Sequence, residues 1–214
     1  MAEYQLYCFA QSGNSYKAAL MLNLIEADWA PVFVDYFNGE TRSAAYRDNV
    51  NEMGEVPVLV HGTRKLSQSG VILSYLAERE GRFDARTEFE RFDVPRWILF
   101  DNHKFTSYLA TYRFMRSFTQ NPDPAVLTFL KPRVDSAFAI VEKHFRGEQP
   151  FLVGPEPTIA DVSLCGYLFY PAEELGIDIS ADYPAISAWL GRIRALRGWA
   201  HPYDIMPGHP RPQE

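Results

Sequence analysis

The chain has 214 residues, with 21 Lys and Arg against 27 Asp and Glu, which gives a formal net charge of −6. Apolar residues make up 47% and charged residues 22%, a composition typical of globular proteins and not of disordered ones. At roughly 150 residues per domain, this length predicts one large domain or two small ones. The mild acidity, without a block of like charges, argues against a nucleic-acid partner or a polybasic membrane partner.

The positions of cysteine and histidine, and the residues at the N-terminus, indicate which cellular compartment and which cofactors to expect. Cys8 and Cys165 lie far apart in apolar surroundings, which predicts buried thiols and no disulfide framework. No two of the five histidines are three to five residues apart, so no local metal motif exists. No basic stretch leads into an apolar leader, and no apolar run approaches the ~18 residues of a membrane helix. We therefore expect a cytoplasmic protein without a metal or a membrane partner.

Strand and helix patterns alternate over the first eighty residues. In chain order they are a strand over 4–9, a helix over 15–27, a strand over 31–34, a loosely helical stretch over 39–51, strands over 56–60 and 64–66, and a helix around 71–76. The β-α-β start predicts a parallel pair, and the β-turn-β end predicts an antiparallel pair. A four-stranded mixed sheet with helices on its faces is the thioredoxin-like arrangement.

Helical patterns dominate after a polar linker at 81–86. A capping box at Thr87 opens a helix to about residue 118, which Pro95 should kink or interrupt. Asp123 and Pro124 begin the next helix, which extends to about residue 145. Further helices begin at Thr158 and at 184, and the proline-rich tail from 201 is predicted to be extended. The sequence thus predicts an α/β domain over 1–81 and an all-α domain over 87–214.

One polar loop, Ser12-Gly13-Asn14-Ser15-Tyr16-Lys17, joins the first strand to the first helix. The free N–H groups and the positive dipole end of a helix N-terminus favour an anion there, including a thiolate. Capping by Ser15 or Asn14 is a structural alternative that explains the same residues.

Two further motifs have both a structural and a binding interpretation. The proline of Glu55-Val56-Pro57 marks either an edge strand or a cis bond that leaves the Val56 backbone free to pair with an extended peptide. Gln68 and Ser69 at the start of the third helix either cap it or hold a ligand carboxylate.

In the helical half, the polar residues of Thr158-Ile159-Ala160-Asp161 are explained by capping alone. Tyr108 and Tyr112 belong to an aromatic set that either lines an apolar pocket or packs a core.

Together these motifs resemble the glutathione transferase family. The resemblance rests on the serine loop after the first strand, Val-Pro at the third strand, Gln-Ser at the third helix and Thr-Ile-Ala-Asp in the helical half, and it covers residues 4 to about 203. Within the family, the loop is most similar to the serine-type theta, phi and related bacterial classes. The resemblance implies a thioredoxin-like domain followed by an all-α domain, which is the glutathione transferase architecture.

The resemblance also implies where glutathione binds. Ser12 would donate a hydrogen bond to the glutathione sulfur, with Asn14 and Ser15 beside it. Tyr7 on the first strand is a minor alternative, because tyrosine-type classes carry their tyrosine near this place. Val56, beside cis-Pro57, would pair with the backbone of the cysteinyl unit. Gln68 and Ser69 would hold the γ-glutamyl carboxylate. Arg42 is a weaker candidate for the glycine carboxylate.

Glu55 departs from the family pattern, which usually has Gln or Lys before Val-Pro. A carboxylate near the glycine carboxylate of glutathione should weaken binding, unless Arg42 or Lys65 offsets it. The helical domain is implied to supply the electrophile pocket, with Tyr108 and Tyr112 as candidates, and Asp161 belongs to the folding motif.

The resemblance implies a cytoplasmic homodimer that conjugates glutathione, as co-substrate, to a small apolar electrophile in detoxification, without a metal. The aromatic-rich segment 97–112 is the candidate dimer face. A glutathione-dependent disulfide reductase or peroxidase on the same fold is one alternative. A non-catalytic protein that kept the fold as a binding module or scaffold is another.

Overall fold

The computed structural model describes residues 2–147 and 149–210, which form two compact units. The first unit holds the chain through Asp84 together with the segment from Leu196 onward, and the second runs from Ala85 to Ala195. The sequence-based division into 1–81 and 87–214 assigns the segment from Leu196 to the helical half, whereas here it packs with the first unit.

The first unit is built on a four-stranded mixed sheet. Its strands are β1 (Tyr4–Cys8), β2 (Trp29–Phe33), β3 (Val58–His61) and β4 (Arg64–Ser67), in the spatial order β2-β1-β3-β4. β1 pairs in parallel with β2, and the β1–β3 and β3–β4 pairs are antiparallel. This topology confirms the predicted thioredoxin-like fold.

In the part of the unit through Asp84, the sheet is accompanied by the helices α1 (Gly13–Leu24), α2 (Ala44–Asn49) and α3 (Ser69–Glu80), with a short 3-10 turn at Glu40–Arg42 before α2. α1 contacts β1 and α3, and ten of its twelve residues are buried. A helix buried on nearly all sides fixes its own N-terminus firmly relative to the sheet.

The second unit is all helical. Its helices are α4 (Glu90–Phe100), α5 (Thr106–Ser117), α6 (Pro124–Phe145), α7 (Ile159–Leu164), α8 (Ala172–Leu175), α9 (Ile179–Asp182) and α10 (Pro184–Arg194). The Asp123 carboxylate accepts a hydrogen bond from the Ala125 N–H at 2.9 Å, which confirms the predicted start of α6. The single-turn helices α8 and α9 were not predicted, because a segment of four residues is too short to show a repeating pattern of apolar positions.

The predicted interruption at Pro95 is wrong in position. α4 continues through Pro95 to Phe100, and the irregularity follows as a π-helical turn at Asp101–Phe105. Val94 and Trp97 are buried on either side of the proline, so packing holds the helix together although one backbone hydrogen bond is absent.

The proline-rich tail is not wholly extended. A one-turn helix, α11 (Pro202–Ile205), begins at His201, whose side chain accepts a hydrogen bond from the Tyr203 N–H at 3.3 Å. Pro202 is the first helical residue, where its missing N–H leaves no partner unsatisfied. α11 contacts α1 and brings the following residues back to the sheet unit.

Candidate functional site

The loop between β1 and α1 places Ser12 at the N-cap of α1. Ser12 has extended backbone angles, and its Oγ accepts a hydrogen bond from the Ser15 N–H at 3.1 Å. The cap is therefore Ser12, and the sequence-based alternative that Ser15 or Asn14 caps the helix is wrong. Ser12 remains 7% exposed, and its hydroxyl proton is not used by the cap.

Two polar atoms in the first turn of α1 are buried without a partner. The Ser15 Oγ and the Asn14 Oδ1 make no hydrogen bond within the described part of the chain. Buried polar atoms in native proteins are almost always paired, so such atoms beside a helix N-terminus indicate a place where a polar ligand can supply the missing partner.

Residues 206–210, which we call the C-terminal strap, pack against the loop before Ser12. The Ala10 N–H donates to the Pro207 carbonyl at 2.7 Å. The Gln11 side chain forms a pair of hydrogen bonds with the His209 backbone, donating to its carbonyl at 2.8 Å and accepting from its N–H at 3.2 Å. The strap thus holds the two residues that precede Ser12.

The ring of His209 anchors the strap. It lies 4.4 Å from the Phe37 ring and 5.8 Å from the Phe9 ring, centroid to centroid. Its Nδ1 is 3.6 Å from an Asp35 carboxylate oxygen. Neither Gln11 nor His209 was predicted as part of the site, because nothing in the local sequence links two residues 198 positions apart.

Val56 and Pro57 lie just before β3, joined by a cis peptide bond. The β1–β3 register ends at Val58, so Val56 lies beyond the strand pairing. The carbonyl of the preceding Glu55 accepts hydrogen bonds from the Tyr46 hydroxyl at 3.0 Å and the Asn51 side-chain amide at 2.9 Å. These contacts hold the approach to β3 in place.

The start of α3 brings Gln68 and Ser69 together with Glu55. Gln68 is the N-cap residue, with a left-handed φ of 67° and no side-chain capping bond. Its side-chain amide donates to the Glu55 carboxylate at 2.9 Å and to the Met53 sulfur at 3.4 Å. Ser69, at the first position of α3, is 6% exposed.

Arg42 is not joined to this group. It is exposed at the end of the 3-10 turn, and within the described residues no hydrogen bond or ion pair links its side chain to the other candidate residues. The Lys65 ammonium donates to the Asn49 carbonyl.

The two candidate tyrosines of the helical unit differ in environment. Tyr108 is half-buried and lines a groove of about 240 Å³ between the π-helical turn, α5 and α6, and the other lining residues are Lys104, Pro132, Arg133, Ser136, Ala137 and Ile140. Tyr112 is 7% exposed and belongs to the core of the unit.

Asp161 serves the fold of the helical unit. The predicted capping box with Thr158 is present at the start of α7, which confirms its structural interpretation. The fully buried carboxylate also accepts from the Leu152 N–H at 2.9 Å and the Trp189 indole N–H at 3.0 Å. Burial raises the pKa of Asp161 to about 6, although these donors oppose the shift.

The two cysteines are buried and free, as predicted. Burial raises the pKa of the Cys8 thiol to about 12, which leaves it unreactive. Over residues 2–147 and 149–210, no group of three or more His, Cys, Asp or Glu side chains is arranged to hold a metal ion. None of the helices in the same residues is long and apolar enough to cross a membrane.

Family models match both units of the chain. The model for the glutathione S-transferase N-terminal domain matches residues 2–78, and that for the C-terminal domain matches residues 105–196. With the thioredoxin-like sheet, the serine loop and the all-helical second unit, these matches define the class: the chain belongs to the glutathione transferase family.

Individual relatives agree with this assignment. A glutathione S-transferase structure from Xanthobacter autotrophicus Py2 is 32% identical, with a TM-score of 0.85 over 94% of this chain and 97% of its own. Glutathione S-transferase F14 of Arabidopsis thaliana is 27% identical over 213 residues, covering 92% of this chain and 82% of its own. The glutathione transferase URE2P8 of Phanerochaete chrysosporium, solved with oxidized glutathione, shares the fold at 21% identity and a TM-score of 0.84, over 95% of each chain.

Proposed function

We propose that this protein is a cytoplasmic glutathione transferase that conjugates the glutathione thiolate to a small apolar electrophile, as in detoxification. The observation that carries the proposal is the N-terminus of α1, where the Ser12 hydroxyl lies beside two buried polar atoms without partners. Membership of the family supports glutathione as the ligand of this site.

The mechanism follows from the acidity of a thiol. A thiol with a pKa near 8.5 is only about 3% thiolate at pH 7. Lowering that pKa by roughly two units requires about 2.7 kcal/mol of preferential stabilisation of the anion. A hydroxyl donor can contribute ~1.5–3 kcal/mol and a helix N-terminus up to ~2 kcal/mol. Ser12 and the first turn of α1 are therefore sufficient, and no general base is required.

Ser12 can accept and donate at once. Its oxygen accepts the Ser15 N–H, which fixes the position of the hydroxyl and leaves its proton to donate to the sulfur. Asn14 and Ser15, in the same turn, would contact the cysteinyl part of glutathione through the atoms that lack partners in the protein.

The remaining contacts follow the extended shape of the peptide. Val56, beyond the end of the β1–β3 pairing, would form backbone hydrogen bonds with the cysteinyl unit beside Pro57. Gln68 and Ser69 would hold the γ-glutamyl carboxylate at the N-terminus of α3. Arg42, exposed at the end of the 3-10 turn, would hold the glycine carboxylate.

The electrophile would be bound by the helical unit. Tyr108 lines an open groove there, whereas the buried Tyr112 would shape the pocket through packing. The groove is small, and Tyr108, Pro132, Ala137 and Ile140 give it the apolar wall that an apolar molecule needs, beside the polar side chains of Lys104, Arg133 and Ser136.

Conjugation assays test this function directly. Purified protein should accelerate the reaction of glutathione with members of a panel of aryl halides, and Ser12→Ala should lose most of that rate at pH 7. A protein that retains glutathione on an affinity resin but conjugates no member of the panel would contradict the transferase proposal.

A glutathione-dependent disulfide reductase or peroxidase is the second candidate. One observation favours it: the fold neighbour URE2P8 was solved with oxidized glutathione. Because Cys8 is buried and its pKa is raised to about 12, glutathione and not the protein would have to supply the reacting thiol. Turnover of a mixed disulfide or a peroxide, without conjugation of aryl halides, would favour this candidate.

A non-catalytic scaffold is distinguished by ligand binding. A protein that kept the fold without the activity would need neither the polar atoms at α1 nor those at α3. Failure to bind glutathione on a resin or in calorimetry would support the scaffold over both enzymes.

A further inference from the structure

A series of polar side chains joins the start of β1 to α3, at the opposite end of β1 from the Ser12 loop. His61, the last residue of β3, pairs with Tyr4 in the β1–β3 register. The His61 Nδ1 lies 2.6 Å from the Tyr75 hydroxyl on α3, and its Nε2 lies 3.4 Å from a Glu3 carboxylate oxygen. A carboxylate, an imidazole and a phenol are thus joined in sequence.

The order of these three groups sets the direction in which a proton can move. A neutral imidazole has one N–H and one acceptor nitrogen, and an ionised carboxylate can only accept. The tautomer that satisfies both contacts therefore donates its Nε2 proton to Glu3 and turns its Nδ1 lone pair to the Tyr75 hydroxyl. The His61 imidazole can accept the phenol proton, and the Glu3 carboxylate can stabilise the imidazolium that results.

Two arginines add positive charge to this group. The Arg64 guanidinium lies 5.5 Å from the centre of the Tyr75 ring, where it favours the negative charge that develops on the phenol oxygen. Arg79 donates to the Glu3 carboxylate at 3.1 Å and to the Tyr4 hydroxyl at 2.8 Å, which orients Glu3. Within the described residues, the titratable and charged groups around the His61 ring are Glu3, Tyr4, Tyr75, Arg64 and Arg79, with Glu80 beyond Tyr4.

The three groups are open to solvent. Tyr75 is half-buried, and the side chains of His61 and Glu3 are 21% and 45% exposed. A small reagent can therefore reach the series from outside, and none of its members takes part in the proposed conjugation.

We propose that Tyr75 is a nucleophile towards activated acyl donors, such as aryl esters, with His61 as its general base and Glu3 as a positioning residue. The Tyr75 oxygen forms a bond to the acyl carbon while the bond from that carbon to the aryl oxygen breaks. The phenol proton moves to His61 Nδ1 and then to the departing aryl oxide. The product is a tyrosine ester, so the chain is acylated at Tyr75. This reactivity goes beyond the proposed function and does not require glutathione.

Acetylation by 4-nitrophenyl acetate without glutathione, followed by peptide mass spectrometry, tests the proposal. Tyr36 serves as the internal reference, because it is also half-buried and lies in the same unit. We expect Tyr75 to react at least about tenfold faster than Tyr36, since a positioned base contributes ~10²–10⁴-fold in enzymes. His61→Gln, whose amide can contact the phenol but cannot take its proton, should lower the Tyr75 rate to that of Tyr36.

The pH profile of the wild type tests the same base without a substitution. The Tyr75 rate should level off above about pH 8, because an imidazole is then neutral. The rate of an unassisted phenol instead keeps rising with pH up to about pH 10. Glu3→Gln should move the rise in the Tyr75 rate to lower pH, since a carboxylate favours the protonated imidazole, and a merely structural role of Glu3 would not move it.

His103→Gln is the matched control, because His103 is an exposed histidine of the helical unit, and it should change neither rate. Equal rates for Tyr75 and Tyr36 in the wild type would overturn the proposal. An unchanged Tyr75 rate in His61→Gln, or an acetyl group on His61 in place of Tyr75, would also overturn it. Each of these results would leave glutathione conjugation, measured separately, unaffected.

Discussion

The Oγ of Ser12 accepts the backbone N–H of Ser15 at 3.1 Å, so the residue proposed to hold the thiolate is also the N-cap of α1. The two roles use different parts of one hydroxyl, the oxygen lone pair for the helix and the proton for the ligand. Substitutions at Ser12 should therefore change both stability and sulfur chemistry, and the two effects can be measured separately.

Ser12→Ala should raise the pKa of the bound glutathione thiol by roughly one to two units, since one hydrogen bond to a charged group contributes ~1.5–3 kcal/mol. It should also reduce the free energy of unfolding by about 0.5–2 kcal/mol through loss of the cap. The ultraviolet absorbance of the thiolate, followed against pH in the complex, reports the first effect, and urea unfolding reports the second.

Ser15→Ala provides the comparison. The Ser15 hydroxyl has no partner within the described protein, so a methyl group in its place should leave the stability of the free protein unchanged or raise it. The thiol pKa should move little. If Ser15→Ala or Tyr7→Phe shifts the titration and Ser12→Ala does not, the assignment of Ser12 is wrong.

Asp161→Ala should destabilise the protein by about 3 kcal/mol or more, beyond the cost of a lost cap. The substitution strips the acceptor from the buried N–H groups of Thr158, Leu152 and Trp189, and each unpaired donor costs about 1–3 kcal/mol. Glutathione affinity should stay the same at a temperature where the variant is folded. A variant with native melting but without turnover would show that the motif acts in catalysis.

The pKa of Asp161 predicts a specific pH dependence of stability. Burial raises it from 3.8 to about 6, so between these values the folded state holds a proton that the unfolded state has released. The free energy of unfolding should then fall as pH rises through this window. Asp161→Asn cannot titrate and should lack this component, as urea unfolding at several pH values would reveal. Parallel curves for the two proteins would contradict the raised pKa.

Gly208→Ala should loosen the C-terminal strap. A Cβ at Gly208 would lie 2.7 Å from the Ala10 Cβ and 3.0 Å from the Gln11 side-chain oxygen, which is too close. We expect a loss of about 1–3 kcal/mol in unfolding free energy, as for other overpacked sites, and weaker glutathione binding.

Gly191→Ala is the matched control for that substitution. Gly191 lies inside α10, and a Cβ there would meet nothing within 4 Å. Alanine should stabilise the helix by up to about 1 kcal/mol. Equal melting temperatures for Gly208→Ala and the wild type would show that the strap accommodates the added methyl group without loss of stability.

We expect a homodimer in solution. Within the predicted face over 97–112, Trp97 and Tyr112 are buried and Leu99 exposes 69% of its surface; Phe89 and Phe92, just before this segment, expose 83% and 73%. Phe89 is the N-cap residue of α4, and its spacing from Phe92 and Leu99 places the three side chains on one side of the helix; an exposed apolar stripe typically marks an interface.

Light scattering on a sizing column tests this state. The wild type should have about twice the 24.5 kDa chain mass. Phe92→Lys should shift the mass towards that of one chain, whereas Phe129→Lys, at a similarly exposed position on α6, should not. A wild type of 24.5 kDa at micromolar concentration would contradict the prediction.

Features that depend on neighbouring residues were predicted well. The strand patterns gave the mixed sheet, and the Asp123–Pro124 and Thr158–Asp161 pairs marked helix starts, because a cap is formed by residues two or three positions apart. Which hydroxyl caps α1 could not be decided, since Ser12 and Ser15 both fit the local pattern.

Features that depend on distant residues were missed. The Gln11–His209 pair and the Glu55–Gln68 contact join segments whose approach is set by the whole sheet unit. The helix is not interrupted at Pro95, because tertiary packing outweighs local helix propensity there.

The strap has a consequence for the order in which the protein can be completed during synthesis. The sheet-forming residues leave the ribosome first, but the residues that close over Ala10 and Gln11 are made only after the entire helical unit. At about 5–20 residues per second, that delay is on the order of ten seconds. During this delay the first unit of the nascent chain lacks the strap that packs on Ala10 and Gln11. The proposed site at Ser12 would therefore be completed last, although Ser12 is among the first residues synthesised.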